Sequence, residues 1–145
     1  MCPVNVLVVD DDQVDRYVAK RYLSKDHRIG AILEAEDGDE AYELLDGERL
    51  ENELGPHPPA SLVLLDINMP RMSGFELLER LRESGADLRL EDSVVIIALL
   101  TSSTYFEDKS KADGIDLVKA YIEKPLTSKK LEALLETFWT EGADE

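Results

Sequence analysis

The sequence predicts an α/β fold, a five-stranded parallel sheet with helices on both faces, and three observations carry that reading. Short apolar runs rich in branched side chains alternate five times with segments of helical periodicity. The runs are too short for helices and too continuously apolar for a sheet with one wet face. A helix-like segment separates consecutive runs, and that is the crossover a parallel pair of strands needs.

The elements follow in order. Val4–Val9 is a buried strand that stops abruptly at Asp10-Asp11-Asp12. Val14, Tyr17, Val18 and Tyr22 then fall at helical spacing, with Asp12 available as N-cap and Asp15 in the first turn. Gly30 punctuates, and Ala31–Ala35 is a weaker strand. A helix runs from Asp39 to about Leu54 on Ala41, Leu44 and Leu45, although Gly47 weakens its second half. Gly55–Pro59 is a loop. The pattern then repeats: strand Leu62–Leu65, Asp66, a turn, and a helix on Phe75, Leu77, Leu78 and Leu81. Val94–Leu100 is the strongest strand, closed by Thr101 and Ser102, and a polar helix runs to Ala112 with Gly114 as its C-cap. Ala120–Ile122 is a short strand, and Leu131, Leu134, Leu135 and Phe138 build a last helix.

Composition narrows the function. The chain has the length of one domain, read here as residues 1–145 with a frayed acidic tail at about 140–145, and needs no disulfide or metal to fold. Its 32 acidic and 16 basic residues leave a net charge of −16, which repels phosphate backbones and anionic lipid and favours metal cations and basic partner surfaces. Nucleic acid and membrane are therefore not expected partners. Cys2 is the single cysteine, consistent with a reducing cytoplasm, and neither a membrane-spanning run nor a signal segment is expected.

In an open doubly wound sheet, ligands bind beyond the carboxyl ends of the strands. Those positions carry Asp10, Asp11 and Asp12 after the first strand, Asp66 after the third, Thr101 and Ser102 after the fourth, and Lys124 after the fifth. Each alone reads as a cap or turn residue. Converging on one edge, the carboxylates repel one another unless a cation sits among them, and a hard divalent ion, Mg²⁺ first, suits oxygen ligands.

Four stretches carry a resemblance: Val6-Leu7-Val8-Val9-Asp10-Asp11-Asp12, Leu64-Leu65-Asp66-Ile67-Asn68-Met69-Pro70-Arg71-Met72-Ser73-Gly74, Leu99-Leu100-Thr101-Ser102 and Tyr121-Ile122-Glu123-Lys124-Pro125. In this order, over nearly the whole chain, the sequence resembles the receiver domain of two-component response regulators. The resemblance implies the flavodoxin-like strand order 2-1-3-4-5 with five flanking helices. It implies Asp66 as phosphoacceptor, fed by a phosphohistidine on a sensor histidine kinase or histidine phosphotransfer protein. It further implies a Mg²⁺ site of Asp11, Asp66, the Asn68 backbone carbonyl and Asp10, the last partly through water. Lys124 is implied beside the phosphate, in a cis peptide bond with Pro125, with Thr101 as switch hydroxyl and Tyr121 as switch aromatic. Tyr121 is expected to be exposed before phosphorylation and more buried after it. The output is expected to pass to a protein partner, a phosphorelay or a phosphorylation-linked homodimer. Self-phosphorylation and slow self-dephosphorylation are the only reactions expected.

A Mg²⁺-dependent phosphohydrolase is the competing class, but Asn68 occupies the position where such an enzyme wants a second acid, and an amide does no proton transfer. His27 and His57 read as surface residues, Met69 and Met72 as shapers of a turn, and Phe138-Trp139 as packing. The Gly114–Tyr121 and Gly47–Ala60 stretches look longer than a compact receiver requires.

Overall fold

A computed structural model of the chain describes residues 4–45, 62–67, 69, 72–84, 96–101, 118–124 and 126–138. Its elements are β1 (Val4–Val9), α1 (Gln13–Ser24), β2 (Ile29–Ala35), α2 (Gly38–Leu45), β3 (Leu62–Asp66), α3 (Gly74–Ser84), β4 (Ile96–Thr101), β5 (Val118–Glu123) and α4 (Ser128–Phe138). The five strands form one sheet in the order β2-β1-β3-β4-β5, every pair parallel. This is the predicted topology, with four of the five predicted helices among the described residues. Among those residues no helix is long and apolar enough to cross a membrane.

Alternation along the strands divides the core. Leu7, Val9, Val63, Leu65, Ile97 and Leu99 face one side, where Ala41 of α2 and Phe75, Leu77, Leu78 and Leu81 of α3 cover them. Val6, Val8, Leu62, Leu64, Ala98 and Leu100 face the other, under Ala19 and Leu23 of α1 and Leu131, Leu134 and Leu135 of α4. Helices on both faces explain why the central strands are apolar at successive positions.

Side-chain caps start the helices. Asp12 accepts from the Val14 amide at 2.8 Å, as expected of an N-cap. Ser73 and Glu76 form a reciprocal capping box, the Ser73 amide donating to Glu76 at 2.8 Å and the Glu76 amide to the Ser73 hydroxyl at 3.2 Å. Behind α1, the Arg28 guanidinium donates twice to Asp26, at 2.9 and 2.8 Å, and holds its carboxyl below the usual carboxylate range.

Three expectations are corrected. The buried stripe of α1 is Arg16, Ala19 and Leu23, while Val14 and Tyr17 are exposed, because the helix turns a satisfied guanidinium rather than those apolar side chains toward the sheet. Gly30 lies inside β2 instead of preceding it, since β2 begins at Ile29 and pairs there with Val4. Val118–Tyr121 belong to β5, so what read as a long connection is partly strand, pairing with β4 from Val118 onward. Cys2, the 46–61 connection with His57, Asn68, Pro70, Ser102, the helix to Ala112, Gly114, Pro125, Trp139 and the acidic tail lie outside the described residues.

Gly74 fixes where α3 begins. Its amide donates to the Ile67 carbonyl at 2.9 Å, and a Cβ here would lie 2.7 Å from the Asp66 carbonyl oxygen. That obstacle is backbone and cannot swing away. Gly74→Ala is expected to destabilise the fold by about 1–3 kcal/mol through overpacking, read from the urea midpoint. An unchanged midpoint would show that the β3–α3 turn yields freely.

Candidate functional site

β1 and β3 are neighbours, but the chain leaves them toward opposite sides of the sheet, and the crevice at such a switch point is where an open α/β sheet binds ligands. Asp10 follows β1 and Asp66 ends β3 in this crevice, both almost fully buried. Asp11 stands beside them, exposed. Carboxylate oxygens of Asp10, Asp11 and Asp66 lie within 4.8 Å of one another.

Lys124, immediately after β5, reaches into this group across the sheet edge. Its Nζ donates to Asp10 Oδ2 and Asp15 Oδ2, both at 2.9 Å, and stands 3.5 Å from Asp66 Oδ1. Burial disfavours the ammonium, but the hydrogen bonds to Asp10 and Asp15 and the attraction of Asp10 and Asp66 outweigh it, so Lys124 titrates above the ordinary lysine range. A raised lysine stabilises the fold fully below its ordinary pKa, and that contribution is lost only as pH rises through the raised value.

Asp10 is held on every side. Its amide donates to the Ala35 carbonyl at 3.1 Å, its Oδ1 accepts from the Asp12 amide at 3.0 Å, and its carbonyl accepts from Arg16 at 2.7 Å. Arg16 also donates to Glu34 at 3.1 Å and faces Glu36 at 3.8 Å. Lys20, at 2.8 Å, keeps Glu34 below the usual carboxylate range despite its partial burial, and Arg16 adds to the effect.

The sheet edge thus assembles Asp10, Asp11, Asp66 and Lys124, as their places in the sequence suggested. Thr101 ends β4 at the same edge, paired with Glu123. Tyr121 is half-buried rather than exposed; it packs on the core face shared by α2 and α3, because its register opposite Leu99 points it there. Asn68 lies outside the described residues. Sequence reasoning assigned Asp15 only a place in the first turn and did not single out Arg16 at all. An acid and a base following the acidic run on a helix that starts at the sheet edge was the available signal.

The cluster is a set of hard oxygen donors beside one ammonium. Three carboxylates this close suit a small hard cation such as Mg²⁺ better than a softer metal seeking nitrogen or sulfur. With both oxygens of Asp10 already hydrogen-bonded, Asp11 and Asp66 are the better placed to ligate directly.

Comparisons with known proteins agree with this geometry. A family model described as the response regulator receiver domain matches residues 6–136. The chain is 35% identical to a chemotaxis protein CheY homolog of Campylobacter jejuni, over 98% of this chain and 100% of that protein. It is 27% identical to the 3′,5′-cyclic-nucleotide phosphodiesterase regA of Dictyostelium discoideum over 98% of its own length, but spans only 16% of that protein. A crystal structure of a two-component response regulator from Cytophaga hutchinsonii superposes with a TM-score of 0.79 at 28% identity, covering 97% of this chain and 100% of that one.

Arg16→Met keeps an unbranched stem but removes the donors on Asp10 and Glu34. We expect a loss of about 2 kcal/mol in urea unfolding, the range for a hydrogen bond to a charged group. A loss below about 0.5 kcal/mol would mean that water replaces the guanidinium.

Proposed function

The chain belongs to the response regulator receiver domain family, a family of signalling phosphoacceptor domains, and from that membership we propose that it acts as a response regulator phosphorylated on Asp66. The observation that carries this is a buried Asp66 gathered with Asp10, Asp11 and Lys124 at the sheet edge. A carboxylate is a weak nucleophile, but phosphoryl transfer asks mainly for positioning and charge compensation. An Asp66 oxygen forms a bond to phosphorus as the bond from phosphorus to the donor breaks. The leaving group takes the electron pair, a histidine imidazole then gaining a proton and acetate leaving as the anion.

Mg²⁺ held by Asp11, Asp66 and the Asn68 carbonyl, with Asp10 partly through water, would neutralise charge on the transferred oxygens. Lys124 supplies a second positive charge from the end of β5. Asp10 orients Lys124, and Arg16 holds the Asp10 backbone. The aspartyl phosphate then adds acceptor oxygens that hydroxyl and amide donors can turn toward. Phosphoryl groups come from a sensor histidine kinase or a histidine phosphotransfer protein, and the output is a protein contact or a phosphorylation-linked homodimer.

Incubation with labelled acetyl phosphate and Mg²⁺ tests the reading. The parent protein is expected to acquire an acid-stable, base-labile label. Asp66→Asn should abolish it, and Asp11→Ala should abolish its Mg²⁺-dependent part. Label persisting in Asp66→Asn would place the acceptor elsewhere. Sustained turnover of a generic phosphomonoester would instead make the protein a hydrolase.

The switch is a separate expectation. Thr101 as switch hydroxyl ends β4 and Tyr121 as switch aromatic lies two residues before the end of β5, Leu99 and Thr101 of β4 pairing with Tyr121 and Glu123 of β5. Thr101→Ala should leave Asp66 labelling within about threefold of the parent, since Ala removes only a hydroxyl donor. It should also weaken the phosphorylation-dependent change in the Tyr121 ring, followed by aromatic NMR shifts. An equal Tyr121 response in the variant would uncouple the two residues.

A further inference from the structure

We propose that Asp15, in the first turn of α1, is a positioning residue that aims the Lys124 ammonium at the phosphoryl group as it transfers to Asp66. The proposal rests on Asp66 being the phosphoacceptor. It concerns a residue that the sequence presents only as a helix-start acid.

An ammonium has three N–H donors in tetrahedral array and no acceptor. Held by one hydrogen bond it swivels about that bond; held by two, its third donor has a set direction. Lys124 is held by two, Asp10 Oδ2 and Asp15 Oδ2, each at 2.9 Å. The third donor is left for Asp66, whose Oδ1 at 3.5 Å is farther than a firm hydrogen bond. The charge that most attracts an incoming phosphoryl oxygen therefore points at the carboxylate that receives it and is not yet spent there. Without Asp15, Lys124 hangs from Asp10 alone.

The placement of Asp15 is itself constrained. Asp12 caps the same turn through the Val14 amide at 2.8 Å, and Arg16 anchors it to the Asp10 carbonyl at 2.7 Å. The Asp15 side chain is 41% exposed, against 2% for Asp10 and 5% for Asp66. An exposed carboxylate is well served by water, so this pair adds little to stability. What it sets is the direction of the ammonium. Charge alone makes the opposite demand, because a further acid beside the pocket repels an anionic phosphodonor, and its removal should then speed transfer.

Asp15→Asn in the full chain separates the two roles. With Mg²⁺ and acetyl phosphate at fixed concentrations, acquisition of label on Asp66 is expected to be about tenfold slower than in the parent, the Asp66 oxygen bonding to phosphorus as acetate departs. Asp15→Glu, which restores a carboxylate on a longer stem, should recover part of the rate. Without any donor, the ¹H–¹⁵N signal of the Lys124 ammonium should be observable in the parent and broadened by faster exchange in Asp15→Asn. The thermal midpoint should stay within about 3 °C of the parent. Labelling as fast as or faster than the parent, or an unchanged Lys124 signal, overturns the proposal. A collapsed midpoint also overturns it, by making Asp15 structural. A parent protein that takes no label overturns the phosphoacceptor reading itself and this proposal with it, an outcome distinct from equal labelling of parent and variant.

Discussion

The contact on which the site depends is the reach of the Lys124 ammonium across the sheet edge to the carboxylates of Asp10, Asp15 and Asp66. It ties the end of β5 to the end of β1, the start of α1 and the end of β3, which are distant in sequence. Acids buried this close are costly unless a cation faces them, and a buried ammonium is costly unless acids face it. Each side makes the other tolerable. The raised Lys124 pKa is the signature of that mutual dependence, for burial alone would have lowered it.

Holding such a cluster requires a stiff frame, and the parallel sheet provides it. β1, β3 and β4 are buried on both faces and paired in continuous register from β3 through β4, so the last residue of each is fixed to its neighbour. Backbone details finish the work. Arg16 secures the Asp10 carbonyl, and the missing side chain of Gly74 lets α3 approach the Asp66 carbonyl closely. Neither residue belongs to the reactive group, yet both govern where its carboxylates stand.

What the sequence made legible follows from this frame. Uniform apolar runs betray strands buried on both faces, and the polar residues just after each run mark the sheet edge, so Asp10, Asp66 and Lys124 could be brought together from strand order and position. Features set by pairing between distant segments were less legible. Arg16 reads as a solvated base until Asp10 and Glu34 close around it, which is why the apolar spacing of Val14 and Tyr17 pointed to the wrong face of α1. Gly30 sits within β2 because strand pairing with β1 outweighs its weak propensity. Val118 joined β5 for the same reason, through its register with Ile97 of β4 rather than any local pattern, and Lys119 falls at the register shift that follows.

The division of labour inside the cluster follows from exposure. Asp10, locked through both oxygens, is the fixed support of Lys124 and a poor candidate to move. Asp66 is buried and meets Lys124 only at 3.5 Å. Asp11 faces solvent, and there a hydrated cation can exchange its waters for a carboxylate oxygen without first crossing the core. The side chains are thus graded from a rigid interior acid to an accessible one, with Asp66 between them. Asp66 lies between the solvent-facing Asp11 and the Lys124 ammonium, where a cation on the one side and the ammonium on the other would both compensate charge. That overlap, more than the strength of any single contact, is what would let Asp66, as the proposed acceptor, take a phosphoryl group.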